Sequence, residues 1–289
     1  MRCLRRRGSA ETVYAMKQEH GMMFSIKMIV LSLFAVTTIF PFGWVLLSSF
    51  KTTSEIYGNS FGLPAEWQFG NYVTAWKGAG MAYSFLNTIF YTTTAVAAVL
   101  IITSMVSYVI VRSRFGRHLY HFFAFGLMLP IHSVIIPLNV LVNKMGLTGT
   151  RFSLILIYVV LNTSFSIFII SAFMRQIPMD FEEAATIDGC SRFRVFWQIM
   201  IPMSRPALIT AGTLAFVSCW NDLILSMVFI SKRQLNTLNY SIFMLKSQYV
   251  ADYGAITAGL VISIVPLFCL YVIFQEQIVR GMLSGAVKG

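Results

Sequence analysis

"EEAATIDGCSRFRVFWQIMIP", residues 182–202, sets three acids within its first nine positions, breaks at Gly189 and closes on Pro202. The chain around it avoids charge. Of 289 residues 57% are hydrophobic and only 11% charged, and the mean hydropathy is +0.72. A soluble domain carries roughly 25% charged residues, so this composition excludes an ordinary soluble protein. The charged stretch must therefore lie outside the apolar environment that the rest of the chain prefers.

Apolar runs of about 18 residues or more can cross a hydrocarbon core of roughly 30 Å as helices. Six such runs occur, near 26–48, 83–111, 119–141, 152–173, 206–230 and 255–275. The expectation is an all-α integral membrane protein of about six transmembrane helices, with residues 178–202 forming a cytoplasmic elbow between the fourth and fifth. The Arg2, Arg5, Arg6 and Arg7 cluster resembles a signal-peptide start. However, the first apolar run begins some 20 residues later, is too long for an h-region and has no small-residue cleavage site after it, so it reads as a retained span.

The net charge of +11 assigns topology rather than nucleic-acid binding. With the N-terminus inside, the cytoplasmic segments hold Arg2, Arg5, Arg6, Arg7, Lys17, Lys27, Arg112, Arg114, Arg117, Arg175, Arg192, Arg194, Arg205, Arg280 and Lys288. These are 15 of the 22 Lys and Arg residues, the bias expected of inward-facing loops. Both termini are thus expected in the cytoplasm, with segments 1–25 and 281–289 flanking a membrane domain over 26–280. The longest outer loop, from Lys51 to Met81, carries Pro64, Trp67, Tyr72 and Trp76, suited equally to an interfacial belt or a docking surface.

Within the elbow, Pro178 should end the fourth helix region, and Asp180 with Glu183 offers a D-x-x-E capping-box start. Gly189 should stop that helix after about two turns, and Ser191 should cap a second short helix that ends before Pro202. Helices this short are marginal alone, so something must hold them. In the third run, Pro130 and Pro137 should each kink the helix.

The spacing of Glu183-Ala184-Ala185, Gly189, Ile199 and Pro202 resembles the EAA loop of ATP-binding-cassette importer permeases, with Ile201 standing where that pattern has Leu. Other stretches are similar to the carbohydrate-uptake group, the maltose-transporter G subunit among them: "SFKTTSEIY" (49–57), "NYVTAW" (71–76), "SYVIVRSRF" (107–115), "LPIHSVIIPLNVLVNKMGLTGT" (129–150), "PMDFEEAATIDG" (178–189), "WNDLIL" (220–225) and "GAVKG" (285–289).

The resemblance implies a subunit of the bacterial cytoplasmic membrane working with a second homologous permease, two ATPase subunits and an extracytoplasmic sugar-binding protein. It also implies that Glu183, Ala184, Ala185, Asp188, Gly189, Ile199 and Pro202 engage an ATPase cleft. In that setting the alanines keep the short helix slim, Glu183 offers a charge, and Gly189 permits a reversal at positive φ. ATPase closure would then rock the bundle between inward-open and outward-open forms.

No Gly-Lys dipeptide occurs, so no phosphate-binding loop of the G-x-x-x-x-G-K-[ST] kind exists, and ATP with its magnesium is expected on partner subunits. The histidines at 20, 118, 121 and 132 and the cysteines at 3, 190, 219 and 269 match no metal or disulfide framework. Neither a catalytic set nor a bound cofactor is expected.

Polar residues inside spans are costly against lipid and mark either a path or a helix contact. Asp222, with Trp220 and Asn221, is read inside the fifth span, as a pore residue or as an interhelical hydrogen bond. Asn139, Asn143 and Asn162 are further translocation-path candidates. A sugar substrate suits amides beside an aromatic face, although the second permease can supply most contacts. The rival readings are an ion-gradient-driven transporter, which calls for inverted repeats, an importer of a non-sugar solute, and a non-transporting membrane scaffold.

Overall fold

The computed structural model describes residues 4–78, 80–246 and 251–286, with side-chain surroundings described from residue 24 to residue 277 within that set. Arg2, Cys3 and Lys288 lie outside it, as do the side chains of Arg5, Arg6, Arg7, Lys17, His20 and Arg280. The described elements are helices, apart from an isolated bridge between Lys246 and Ala251.

The chain opens with α1 (Leu4–Ser48), which continues without a break through residue 25 into the first span. The loop expected on the outer side follows, containing α2 (Thr53–Gly58) and α3 (Gly70–Gly78). Next come α4 (Met81–Arg112), α5 (Gly116–Met128), α6 (Ile131–Lys144) and α7 (Arg151–Met174). The elbow holds α8 (Asp180–Ile187) and α9 (Arg192–Val195), continued by a π turn at Phe196–Met200 and α10 (Ile201–Met203). Then follow α11 (Arg205–Trp220), α12 (Ile224–Phe229), a 3₁₀ turn at Arg233–Leu235, α13 (Leu238–Phe243) and α14 (Tyr253–Ala286).

Four helical stretches are individually long and apolar enough to cross a membrane: Phe24–Ser48, Met81–Arg112, Arg151–Met174 and Tyr253–Gln277. Two bent pairs raise the total to six if each counts as one span. The pair α5 and α6 turns by 103°, so the third apolar run is a broken pair and not the kinked rod that its two prolines led one to expect. Pro130 causes the break: it drives Leu129 out of the helical region to ψ 117°, and Pro130 itself sits at ψ 126°. By contrast, α6 runs on through Pro137.

The fifth run also departs from expectation, because its helix stops at Trp220 and resumes only as the short α12. Asn221 and Asp222 therefore sit at a helix break and not within a continuous span.

Packing centres on α4 and α7, with α11 crossing both. The buried face of α4 carries Ser84, Thr88, Thr92, Ala95, Thr103 and Ser107. Small and hydroxyl side chains let membrane helices approach closely where no hydrophobic drive separates protein from lipid. The turn from α4 to α5 depends on Gly116, where a Cβ would lie 1.9 Å from the carbonyl oxygen of Ile110. Core clusters line this frame, one of them joining Tyr91, Leu154, Tyr158, Cys219 and Phe229.

The loop between α1 and α4 is folded on itself. Phe50 meets Trp67, Phe69 and Tyr72. Fully buried Lys51 donates to the carbonyl of Asn59 at 2.7 Å, and Asn71 donates to those of Ser49 and Lys51. The loop rests on the start of α14, where the Tyr253 amide donates to Thr53.

Candidate functional site

The elbow leaves the membrane frame after α7, which ends at Met174, four residues before Pro178. The expected capping box does not form. Asp180 is the first helical residue of α8, Met179 occupies the cap without a side-chain bond, and the amides of Glu182 and Glu183 bond to the Met179 carbonyl. Asp180, Glu182 and Glu183 still place negative charge at the helix start, where the dipole favours it.

Gly189 adopts φ +82°, with nothing near its missing Cβ, so its freedom is needed for conformation and not for space. Ser191 caps α9 as expected, accepting from the Arg194 amide. The second short helix does not stop before Pro202, however. The π turn lets the Ile201 amide bond back to Phe196, and the helix passes the donor-less proline to end at Ser204.

Side chains on the elbow divide into two faces. Outward lie Glu183, Ala184, Asp188 and Pro202, with Phe181, Phe193, Trp197 and an 86% exposed Ile187 among them. Inward lies Ala185, in a cluster with Ile170, Met174, Val195, Phe196 and Met200, against which the half-buried Ile199 packs. The elbow is thus held by the bundle while offering a charged and apolar face to the outside.

Glu182 also lies inward, three residues before Ala185 on the same face, and the motif reading passed over it. Its Oε1 accepts from Arg112 Nε at 2.5 Å and its Oε2 from the Tyr108 hydroxyl at 2.8 Å, while Arg112 Nη2 donates to the Ile177 carbonyl at 3.0 Å. A cleft of about 750 Å³ opens beside this trio, lined by Met179, Glu183, Ile187 and Arg192 among others. Sequence order carries no signal that singles out Glu182 from Glu183, and Arg112 reads there only as a topology-setting cation.

The intramembrane polar residues do not converge on one site. Asp222 accepts from the Tyr158 hydroxyl at 2.9 Å and from the amides of Leu225 and Ser226, both at 3.0 Å, which anchors the start of α12 to α7. Asn221, Asp222 and His132 line a cavity of about 290 Å³ between the two helix breaks. Trp220 turns away into another cluster, stacked on Phe216 with its indole N–H donating to Ser263. Asn162 donates to the Tyr158 carbonyl beside Cys219. Asn139 is half-buried and Asn143 exposed on α6. Among the described residues no three His, Cys, Asp or Glu side chains group as metal ligands.

A polytopic helical membrane protein that presents a firmly held helix–Gly–helix elbow outside its apolar frame is the class that this fold and site define. The chain belongs to the family of binding-protein-dependent transport system inner membrane components, whose profile matches residues 101–284. It is 40% identical over 252 residues to a putative ABC transporter permease protein, ORF2, of a Caldicellulosiruptor species, covering 86% of this chain and 91% of that one. It is 36% identical over 262 residues to the diacetylchitobiose uptake system permease protein NgcG of Streptomyces coelicolor, covering 89% and 87%. A crystal structure of a bacterial ABC transporter involved in the import of the polysaccharide alginate shares the fold, with a TM-score of 0.78 at 24% identity over 88% of this chain and 96% of that one. The protein is accordingly an ABC importer permease, a membrane subunit that works with an ATPase and a substrate-binding protein.

Proposed function

We propose that this subunit carries a sugar or oligosaccharide across the bacterial cytoplasmic membrane, paired with a second homologous permease, energised by two ATPase subunits and supplied by an extracytoplasmic sugar-binding protein. The observation that carries the coupling role is the elbow's outward face: Glu183, Ala184, Ile187 and Asp188 project from a short helix whose other face is fastened to the bundle. Gly189, Ile199 and Pro202 shape that elbow. Similarity to a diacetylchitobiose permease over nearly the whole chain supports the sugar. This chain performs no catalysis and binds no cofactor; ATP and magnesium belong to the ATPase subunits.

Two groups of contacts, one at the C-terminal end of α4 and one in the loop that precedes α4, support a sidedness. The C-terminal end of α4 meets the elbow, while that loop meets the start of α14 and Arg233. With the elbow in the cytoplasm, the folded loop faces outward and both termini lie inside, flanking the membrane domain over 26–280. The solute path runs past the cavity between the two helix breaks, with Asn221 and Asp222 at its wall and Trp220, Asn139, Asn143 and Asn162 on the helices around it.

The test is uptake into liposomes holding the assembled complex, with labelled diacetylchitobiose as the first sugar. Uptake should require ATP inside, and Gly189→Asp or Glu183→Lys should abolish it while the complex still assembles. Uptake that follows an ion gradient without ATPase subunits would overturn the reading, as would unchanged coupling in both variants.

A further inference from the structure

Resting on the coupling role just argued, we propose that α4 is a connecting rod that carries elbow movement across the membrane to the segment 234–241, with Glu182, Arg112 and Tyr108 as its inner joint. A residue-long ion pair at a surface would transmit little, but this joint is of another kind. Glu182 is only 8% exposed, and both of its carboxylate oxygens are engaged. Arg112 spans two points of the elbow's entry, the side chain of Glu182 and the carbonyl of Ile177. Tyr108 and Arg112 stand four residues apart, on one face of the rod's last turns, and the Tyr108 ring also meets Phe196 beyond the elbow's bend. The joint therefore fixes both position and angle between α4 and the elbow.

The rod's other end is fastened with equal care. Ser84 shares a hydrogen bond with Ser241 at 2.6 Å, Asn87 donates to the carbonyls of Gln234 and Asn236, Thr88 accepts from the Leu238 amide, and Tyr91 donates to the Leu235 carbonyl at 2.9 Å. Four side chains on three successive turns thus hold one segment, which runs from the 3₁₀ turn into α13. Both fastenings lie on α4, an unbroken helix of 32 residues, roughly 48 Å long in all at about 1.5 Å per residue. Its main neighbour α7 is unbroken too, but shorter at 24 residues, whereas α5 is broken from α6 and α10 from α11. An unbroken helix with directional bonds at both ends passes displacement along its axis, whereas a broken one absorbs it. Glu182, Arg112 and Tyr108 are positioning residues, because they act through the elbow and α4.

The experiment uses the full complex in lipid nanodiscs, with the native cysteines replaced and one cysteine at Met244, an exposed position beside the anchored segment. Its rate of reaction with a membrane-impermeant maleimide is measured with and without ATP and vanadate. In the parent protein the nucleotide should change that rate; a parent with no response would sink the coupling role itself, separately from the rod. With Glu182→Gln the response per ATP hydrolysed should fall about tenfold, the size of a typical coupling between sites. Arg112→Lys keeps the charge but loses the two-point grip, and should give an intermediate value. Reversing the pair, Glu182→Arg with Arg112→Glu, should restore part of the response. At the outer end, Asn87→Leu should lower it by a similar factor. A full response in Glu182→Gln and in Asn87→Leu overturns the proposal. So does loss of assembly in both Glu182→Gln and Arg112→Lys, since the trio would then be a structural fastener.

Discussion

Two adjacent glutamates in the elbow do opposite things. Glu183, the acid that belongs to the recognised spacing, points outward, whereas Glu182 is buried against Arg112 and Tyr108. Nothing in the order of letters separates them, because which face of a two-turn helix is buried depends on where α4 ends in space. Gly189, by contrast, was legible: a helix of about two turns followed by Gly and a Ser cap asks for a left-handed residue, and φ is +82°. Replacing it by Ala should destabilise the protein by about 1–2 kcal/mol, the penalty of a side chain in that region, since no atom crowds the position. Gly116→Ala should cost clearly more, because the obstacle at 1.9 Å is backbone. Thermal unfolding of the two variants in the same detergent checks the order, and equal midpoints would count against it.

At the scale of elements, apolar runs located every span but misjudged two of their shapes. A hydropathy window passes over Asn221 and Asp222 because Leu223, Ile224, Leu225 and the residues beyond are apolar again, so α11 and α12 merged into one run. The break is stabilised by Asp222, which holds Tyr158 and two amides of α12 at once. Asp222→Leu should therefore loosen α12 and lower stability by about 2 kcal/mol, the upper range for loss of a helix-start acceptor. Asp222→Asn keeps an acceptor oxygen and should lose about half as much. Hydrogen exchange of the Leu225 and Ser226 amides would report this directly, and protection unchanged in the Leu variant would show that packing alone fixes α12. The third run misled in a related way: Pro130 and Pro137 look equivalent in sequence, yet only the one preceded by an extended residue ends a helix.

On the scale of the whole molecule, most of the apolar span surface lies outside the chain's own core. None of the 18-residue apolar window of the first span is buried within the chain, and the windows of α4, α7 and α14 are only 33%, 39% and 22% buried. Lipid, together with the second permease proposed above, would cover what remains, because apolar surface this extensive does not persist against water. Sequence charge predicted which side each end occupies, and the structure divides the extramembrane surface into two groups of residues linked by contact. Trp67, exposed on the folded loop, belongs to the group that includes Thr53 and Tyr253. Ile187, exposed on the elbow, belongs to the group that includes Arg112 and Glu182. If the elbow meets a cytoplasmic ATPase, cysteines at these two positions must differ in reach. In intact spheroplasts Trp67→Cys should react with an impermeant maleimide and Ile187→Cys should not, and permeabilisation should expose the second. Labelling of Ile187→Cys from outside would invert the topology, and with it the side from which ATP drives the elbow.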